Sequence, residues 1–307
     1  MRIFYDFPPF RPPSEASSYL VRIVRGCNWN KCSFCGMYKS TKFYQRKKEE
    51  IIEDINKIKL FFPPSRTAFI GDSNPIIHRD IVEIIRYLKE RYPEIERITA
   101  YARIKTVANM NDEKLSEIKN AGLKRLHMGL ESGCNEVLED VNKGITAEDA
   151  IIAGKKARKF FEFTYYIITG LGGKEKSEMH AKETAEVINK AKPTFVRVRN
   201  LTIVENTLME KTFDRTALLN AEQQLLELKT IVEGIKVETE FLCDHVSNYL
   251  FTKDGPIFFG VNGKLPNDKK KILEELEDAL NLVRILEKSG EKVLTSNDMR
   301  KLGYINL

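Results

Sequence analysis

Three cysteines lie close together near the amino terminus, in the order Cys27, Cys32 and Cys35. Their spacing, C-x4-C-x2-C, brings three thiolates into one loop, and thiolates are ligands of zinc and of iron–sulfur clusters. Lysine, asparagine and serine neighbours surround them, which disfavours a role as buried, inert thiols. The spacing therefore predicts a metal centre held by these three residues.

The number of cysteines separates two kinds of metal centre. A structural zinc ion normally takes four protein ligands. Its fourth ligand here would come from Cys134, Cys243 or one of the four histidines, all distant in sequence. An iron–sulfur cubane held by three cysteines keeps one iron open for another ligand, which suits catalysis. The sequence favours the cluster and leaves zinc as the alternative.

The cysteine loop resembles the cluster loop of radical S-adenosylmethionine (SAM) enzymes, and Phe34 takes the aromatic place before the last cysteine. The family spacing is usually C-x3-C-x2-C, so the first gap is one residue longer here. The resemblance covers roughly residues 15–205, and the chain is similar in style to small Elp3/MiaB/HemN-like members without their accessory domains. It implies a [4Fe–4S] cluster that cleaves SAM reductively to a 5′-deoxyadenosyl radical. That radical would abstract hydrogen from an unidentified substrate.

One further stretch resembles the motif that meets the SAM amino group in this family. Gly71, Asp72 and Ser73 follow the second predicted strand. Gly71 would let the backbone approach the ligand closely, and Asp72 could accept from an ammonium group. An ordinary turn before Pro75 is the alternative interpretation.

Charged residues near two other strand ends also match family positions. The resemblance implies that Glu131 accepts from the SAM ribose or amino group and that Lys143 pairs with the SAM carboxylate. A solvated loop lysine is the alternative for Lys143. Arg103 ends the third predicted strand, where it suits carboxylate recognition or a surface ion pair.

A glycine turn and two arginines complete the candidate set. Gly170 resembles the strand-five motif that lets adenine approach the backbone, with an anion-binding nest or a plain turn as alternatives. Arg197 and Arg199 lie on one face of the sixth predicted strand. An arginine inside a barrel needs an anionic partner, either SAM or substrate. The sequence does not assign roles to Cys134, Cys243 and His245, which also lie near strand ends.

Strands and helices must alternate to place these residues at one edge of a sheet. Six strand-then-helix units within about 200 residues predict a parallel sheet with right-handed helical crossovers, and active sites of such folds lie at the carboxyl ends of the strands. The predicted strands are 19–25, 66–70, 98–102, 123–130, 163–169 and 194–201, with a possible seventh at 237–242. The predicted helices are 47–60, 76–92, 112–121, 146–160, 177–192, 221–235, 267–288 and a short one capped by Thr295, with turns at 254–256 and 260–266.

The predicted fold class is therefore α/β, a partial (β/α)6 TIM-type barrel of the radical SAM kind with a mixed, mainly helical C-terminal extension. Residues 1–210 would form the core barrel, beginning with a proline-rich segment over residues 1–18. Residues 211–307 would form the extension, on the substrate side or closing the barrel.

The overall composition excludes several classes of protein. With 42% hydrophobic and 31% charged residues, the chain is not expected to be disordered. It contains no uncharged apolar run of about 18 residues, and its first residues lack the pattern of a signal peptide, so no membrane partner is expected. Five cysteines, an odd number, argue against a secreted disulfide framework. These features predict a cytoplasmic protein.

The charge balance is too mild to identify the partner. Fifty basic and 44 acidic residues leave a net charge of +6, which permits a polyanion without requiring one. A small-molecule substrate is favoured over nucleic acid, and a reductant such as flavodoxin or ferredoxin is expected. A tRNA- or peptide-modifying radical SAM enzyme and a zinc-stabilised, non-catalytic barrel are the alternatives. The oligomeric state is left open.

Overall fold

The computed structural model describes residues 10–304 of the chain, so the first half of the proline-rich segment, residues 1–9, lies outside the described residues. The strands are β1 Tyr19–Arg22, β2 Val24–Arg25, β3 Tyr44–Gln45, β4 Thr67–Gly71, β5 Arg97–Ala102, β6 Leu123–Glu131, β7 Glu162–Thr169, β8 Phe195–Asn200, β9 Thr239–Leu242, β10 Leu250–Thr252, β11 Gly255–Phe258 and β12 Asn262–Leu265. The helices are α1 Lys48–Lys57, α2 Ile81–Arg91, α3 Ile104–Asn109, α4 Asp112–Ala121, α5 Asn135–Asp140, α6 Ala147–Phe160, α7 Gly173–Ala191, α8 Leu208–Thr212, α9 Ala221–Gly234, α10 Lys269–Lys288 and α11 Ser296–Lys301.

Eight of these strands form one sheet, in the order β1-β4-β5-β6-β7-β8-β9-β12. The predicted succession of six strand–helix units is confirmed, because β1, β4, β5, β6, β7 and β8 are each followed by at least one helix. The possible seventh strand is also confirmed as β9, which pairs in parallel with β8.

The chain divides into two compact units, of which the first comprises residues 10–30, 35–128 and 156–163. In this unit β1, β4, β5 and β6 pair in parallel, and their central residues are almost all buried. Helix α4 begins and ends as predicted: the Asn111 side chain accepts from the Lys114 N–H, and Gly122 follows the last turn with φ of 126°. A positive φ of this kind is the usual exit from a helix.

The second unit comprises residues 31–34, 129–155 and 164 onward. Its sheet pairs β7, β8 and β9 in parallel and ends with β12, which is antiparallel to β9. Helix α7 packs on α9, and α9 packs on α10. Two ion pairs link α9 to α10: Lys229–Glu277 at 2.7 Å and Arg284–Glu222 at 2.6 Å.

The prediction of a turn over residues 260–266 is wrong for its central part, which is strand β12. Glycine and proline suggested a break in regular structure, but both are tolerated at the edge of a sheet, where β12 lies. Gly263 is needed there, because a Cβ atom would come within 2.9 Å of Asp268 and Ile272 side chains. The short helices α3 and α5 were not predicted, since six residues carry too little hydrophobic periodicity.

The long charged helix α10 has one buried stripe and one exposed face. Ile272, Leu276, Leu280 and Val283 are buried, at the spacing of a single helical face. Charged residues occupy most of the remaining positions, with i,i+4 ion pairs such as Lys270–Glu274. In the part of the chain that the structure describes, α10 and the other helices lack the long apolar run that crossing a bilayer requires.

Truncation of the buried stripe tests this orientation of α10. We expect Leu280→Ala to lower the free energy of unfolding by about 2–5 kcal/mol, because it leaves a cavity at a fully buried position. Leu282→Ala, two residues away and 39% exposed, should cost less than about 1 kcal/mol. Guanidinium denaturation of both variants measures the difference, and equal losses would contradict the assigned face.

Candidate functional site

The cysteine loop starts from a glycine turn in the first unit. Gly26 has φ of 72°, and a Cβ atom there would lie 2.9 Å from the Thr41 carbonyl oxygen. The Cys27 sulfur accepts from the Asn30 backbone N–H at 3.4 Å, and the Asn30 side chain donates to the Tyr38 carbonyl at 2.7 Å. These contacts fix the local path of the loop that carries Cys27 and Cys35.

Cys32 belongs to the second unit, together with Ser33 and Phe34. Backbone hydrogen bonds hold this short segment on both sides: the Ser33 N–H donates to the Val141 carbonyl, and the Met209 N–H donates to the Ser33 carbonyl, both at 2.9 Å. The segment is therefore bound to the loop after α5 and to the start of α8.

Exposure divides the five cysteines into two groups. Cys27, Cys32 and Cys35 are partly exposed, whereas Cys134 and Cys243 are buried. Burial raises the thiol pKa of Cys134, and that of Cys243 to about 12, so both stay protonated at neutral pH. The donor set of the three partly exposed cysteines fits an iron–sulfur cluster. Within residues 10–304, no three His, Cys, Asp or Glu side chains are gathered as ligands of a single metal ion.

Asp72 joins the end of β4 to the start of the cysteine loop. Its two carboxylate oxygens accept from Arg22 Nε at 2.8 Å and from the Gly26 N–H at 3.1 Å. Burial raises the pKa of Asp72, while Arg22 and the Gly26 N–H oppose that rise. Ser73 adds a second link by donating to the Gly26 carbonyl at 2.8 Å. Gly71 has room for a Cβ atom, which would meet other atoms only at 3.6 Å or beyond.

Arg103 lies just after β5 and contacts the cysteine loop. Its guanidinium group lies 5.2 Å from the ring centre of Trp29, within the range of a cation–π contact. Its backbone N–H donates to Asn74 Oδ1 at 3.0 Å. The Asn74 amide in turn donates to Thr106 and to Asn28. In the first unit the structure thus brings together Asp72, Ser73, Arg103 and the residues flanking Cys27.

Glu131 and Lys143 form a partly buried ion pair in the second unit, with Nζ 2.7 Å from Oε1. Gly129 makes room for this pair, since a Cβ atom there would lie 2.2 Å from the Glu131 carboxylate. The Lys143 ammonium also lies 5.8 Å from the ring centre of Phe34. The alternative of a solvated loop lysine is therefore wrong, because the Lys143 side chain is only 15% exposed.

Arg199 lies near the carboxyl end of β8 and donates to His245 Nε2. The other ring nitrogen of His245 lies 2.8 Å from Ser247 Oγ. Burial, followed by the Arg199 charge, lowers the pKa of His245 to about 4, so the ring is neutral at pH 7. Arg197 lies 3.5 Å from Asp244.

The two arginines of β8 lie on the face of the strand away from α9. Asn200, the next residue after Arg199, donates to Gln224 of α9 at 2.8 Å. Because successive side chains of a strand point to opposite faces, Arg197 and Arg199 point away from that helix. The predicted sharing of one face by these arginines is thus confirmed.

Sequence reasoning missed two titratable residues that lie fully buried behind the predicted ones. His180 of α7 and Glu227 of α9 are 0% exposed, and Glu227 accepts from the N–H of the candidate Gly170 at 2.6 Å. Burial raises the pKa of Glu227 to about 7 and lowers that of His180 to about 4. Both residues sit in helices rich in polar side chains, so no feature of the sequence distinguishes them.

Comparison with known proteins agrees with the geometry of both units. The protein-family model described as the radical SAM superfamily matches residues 21–188, more than half of the chain. An uncharacterized methyltransferase from Pyrococcus horikoshii is 28% identical over 145 residues, which are 46% of this chain and 30% of that protein. A tRNA-2-methylthio-N(6)-dimethylallyladenosine synthase from Caldicellulosiruptor saccharolyticus is 24% identical over 186 residues, which are 57% of this chain and 38% of that protein.

A solved structure supports the same fold. Coproporphyrinogen III oxidase from Escherichia coli, a radical SAM enzyme, matches with a TM-score of 0.54 and 18% identity, covering 70% of this chain and 51% of that chain. This likeness confirms the predicted fold class of a partial TIM-type barrel. The chain spans 30% and 38% of the lengths of the two curated relatives, so their activities do not transfer as such.

Neutralising Asp72 tests the buried link between β4 and the cysteine loop. We expect Asp72→Asn to lower the free energy of unfolding by about 3–5 kcal/mol, since the buried Arg22 would face a neutral amide. Glu96→Gln breaks the exposed pair of Glu96 with Arg66 and should cost about 1 kcal/mol or less. Chemical denaturation of the two variants gives both values. A loss for Asp72→Asn no larger than the control would show that the pair does not hold the loop.

Proposed function

Because the chain belongs to the radical SAM superfamily, whose members are enzymes that use a [4Fe–4S] cluster and SAM, we propose that it cleaves SAM reductively and acts on a small-molecule substrate by hydrogen abstraction. The observation that carries the proposal is the set of three partly exposed cysteines within the matched residues. Fold likeness alone would not assign a reaction, since one fold supports many chemistries.

Cys27, Cys32 and Cys35 would hold the cluster in this proposal. A [4Fe–4S] cluster held by these three residues would supply the electron for reductive cleavage of SAM. The protein supplies the position of the ligands and the exclusion of water. Tyr38 supports that second role, because its ring is buried beside Cys35, and burial raises the pKa of its hydroxyl group.

The residues assigned to SAM differ in the groups that they have available to bind it. Both carboxylate oxygens of Asp72 are engaged by Arg22 and Gly26, so we assign the backbone of Gly71, Asp72 and Ser73, more than the carboxylate, to the amino group. Glu131 would accept from the ribose or amino group. The remaining assignments are Lys143, Arg103 and Arg199 to anionic groups, Gly170 to the adenine, and Phe34 to the wall beside the cluster.

A small-molecule substrate is favoured by the arginines of β8. Arg197 and Arg199 point to the face of the sheet opposite α9, where they suit a carboxylate or phosphate group. The names of the relatives support two further candidates: a methyltransferase and a tRNA-modifying synthase. Binding of tRNA that persists near physiological salt would favour the tRNA candidate, and its absence would remove that candidate.

The surroundings of the enzyme follow from the same chemistry. We propose a reducing cytoplasm, where free thiols persist, and a flavodoxin or ferredoxin as electron donor. We keep the division into a core over residues 1–210 and an extension over residues 211–307 as a proposal. A zinc-stabilised, non-catalytic barrel remains the competing hypothesis, and it predicts a colourless protein that contains zinc and does not cleave SAM.

Removal of one cluster ligand tests the metal assignment. We expect Cys32→Ala to lose the iron–sulfur absorbance after anaerobic reconstitution, together with reductive SAM cleavage, because two thiolates do not hold the cluster. Cys243→Ala is the matched control, since it removes a buried thiol outside the loop, and it should keep both. Iron and sulfide analysis with 5′-deoxyadenosine detection measures the outcome. A full [4Fe–4S] spectrum in Cys32→Ala would refute the assignment.

Removal of the Glu131 carboxylate tests the SAM assignment. We expect Glu131→Ala to weaken SAM binding by about tenfold or more at unchanged iron content, on the scale of one charged hydrogen bond. Glu136→Ala removes an exposed carboxylate of α5 and should bind SAM normally. Titration of the reconstituted proteins with SAM gives the dissociation constants. Wild-type affinity in Glu131→Ala would take Glu131 out of the site.

A further inference from the structure

A buried pair of titratable residues lies directly behind two candidate SAM-binding loops. His180 Nε2 and Glu227 Oε1 are 3.6 Å apart, and both side chains are fully buried. Burying such groups is costly unless other groups bind them. The hydrogen-bond partners of His180 and Glu227 therefore indicate the structural role of the pair.

On one side, the Glu227 carboxylate holds the turn after β7. Its Oε1 atom accepts from the Gly170 N–H at 2.6 Å, and its other oxygen accepts from the Ser177 hydroxyl. Gly170 has φ of 77°, which places its N–H outside any strand or helix ladder. The carboxylate supplies the acceptor that this turn needs.

On the other side, His180 holds the loop after β6. Its Nδ1 atom lies 2.8 Å from Ser132 Oγ, which accepts from the Cys134 N–H at 2.9 Å. One turn further along α7, Thr184 Oγ1 accepts from the Gly133 N–H at 2.8 Å. A Cβ atom on Gly133 would lie 2.5 Å from the Thr184 Cα, so the loop is pressed against the helix.

These contacts connect His180 to the loop after β6 and Glu227 to the turn after β7. Ser132 Oγ accepts from the Cys134 N–H and lies within hydrogen-bond distance of His180 Nδ1. His180 Nε2 lies 3.6 Å from Glu227, which accepts from Gly170 and Ser177. Serine, histidine and glutamate in sequence also occur in hydrolases, but Ser132 is 0% exposed and cannot meet a substrate.

We propose that Glu227 and His180 are positioning residues, which hold the loops after β6 and β7 in the shape that SAM requires. The inference rests on the proposed function, because it needs Glu131 and Gly170 to contact SAM. Glu131 directly precedes Ser132, so the Ser132–His180 contact fixes the backbone next to the assigned carboxylate. Through Gly170 the same pair fixes the assigned adenine contact. Neither residue touches SAM itself.

The test compares variants of the reconstituted holoenzyme, with SAM as the varied ligand. Glu227→Leu removes the acceptor of the Gly170 N–H, and we expect it to raise KM for SAM at least about tenfold while kcat changes less than about threefold, the scale of one lost buried hydrogen bond. Glu227→Gln keeps an oxygen for Gly170 and should recover most of the affinity. His180→Leu cuts the link to Ser132 and should raise KM in the same way, which keeps a test available if Glu227→Leu does not fold.

Ile231→Ala is the matched control, because Ile231 lies one turn further along α9 and is fully buried. It should lower stability as a cavity variant does and leave KM for SAM within about twofold. Wild-type KM in Glu227→Leu and His180→Leu, or an equal rise in Ile231→Ala, would overturn the inference. Wild-type protein that carries the full cluster and still fails to cleave SAM would instead overturn the proposed function.

Discussion

Parallel strand pairing is the constraint on which the positions of the candidate side chains depend. In the first unit, Arg22 at the end of β1 is the partner of Gly71 at the end of β4, so Asp72 follows directly beside the guanidinium group. In the second unit, Ile168 of β7 is the partner of Arg199 of β8, so Gly170, just after β7, lies next to the end of β8 that carries Arg199. Parallel strands end at the same edge, and their polar residues collect there.

Burying charged side chains at the edge of a sheet costs desolvation free energy. In each unit an ion pair offsets part of that cost. Asp72 accepts from Arg22 and from the Gly26 N–H, and Glu131 accepts from Lys143. Glu227 lies beside the neutral His180 ring and accepts hydrogen bonds from Gly170 and Ser177. The two ion pairs add little net stability, since desolvation offsets attraction. They fix geometry instead, because removing one partner leaves the other charge buried.

Membership of the superfamily and the fold do not by themselves determine the substrate of this protein. The family model that matches residues 21–188 places the chain in the radical SAM superfamily, whose cofactors supply the difficult chemistry. One fold supports many substrates, so the substrate does not follow from the barrel itself. The chain matches only about a third of each curated relative, so the shared barrel does not carry over their substrates.

The sequence by itself determined the alternation of strands and helices, the loop with three cysteines and the candidate residues that follow the strands. Hydrophobic periodicity, glycine turns and side-chain caps such as Asn111 are local signals, so they can be read along the chain. The tertiary structure decided which side chains pair: Asp72 with Arg22, Lys143 with Glu131, and His180 with Glu227. Partners 12 to 50 residues apart meet only after the sheet has formed, and burial then shifts the pKa values of Asp72, His180 and Glu227. The edge strand β12 was missed for the same reason, because its hydrogen bonds come from β9 and not from its own sequence.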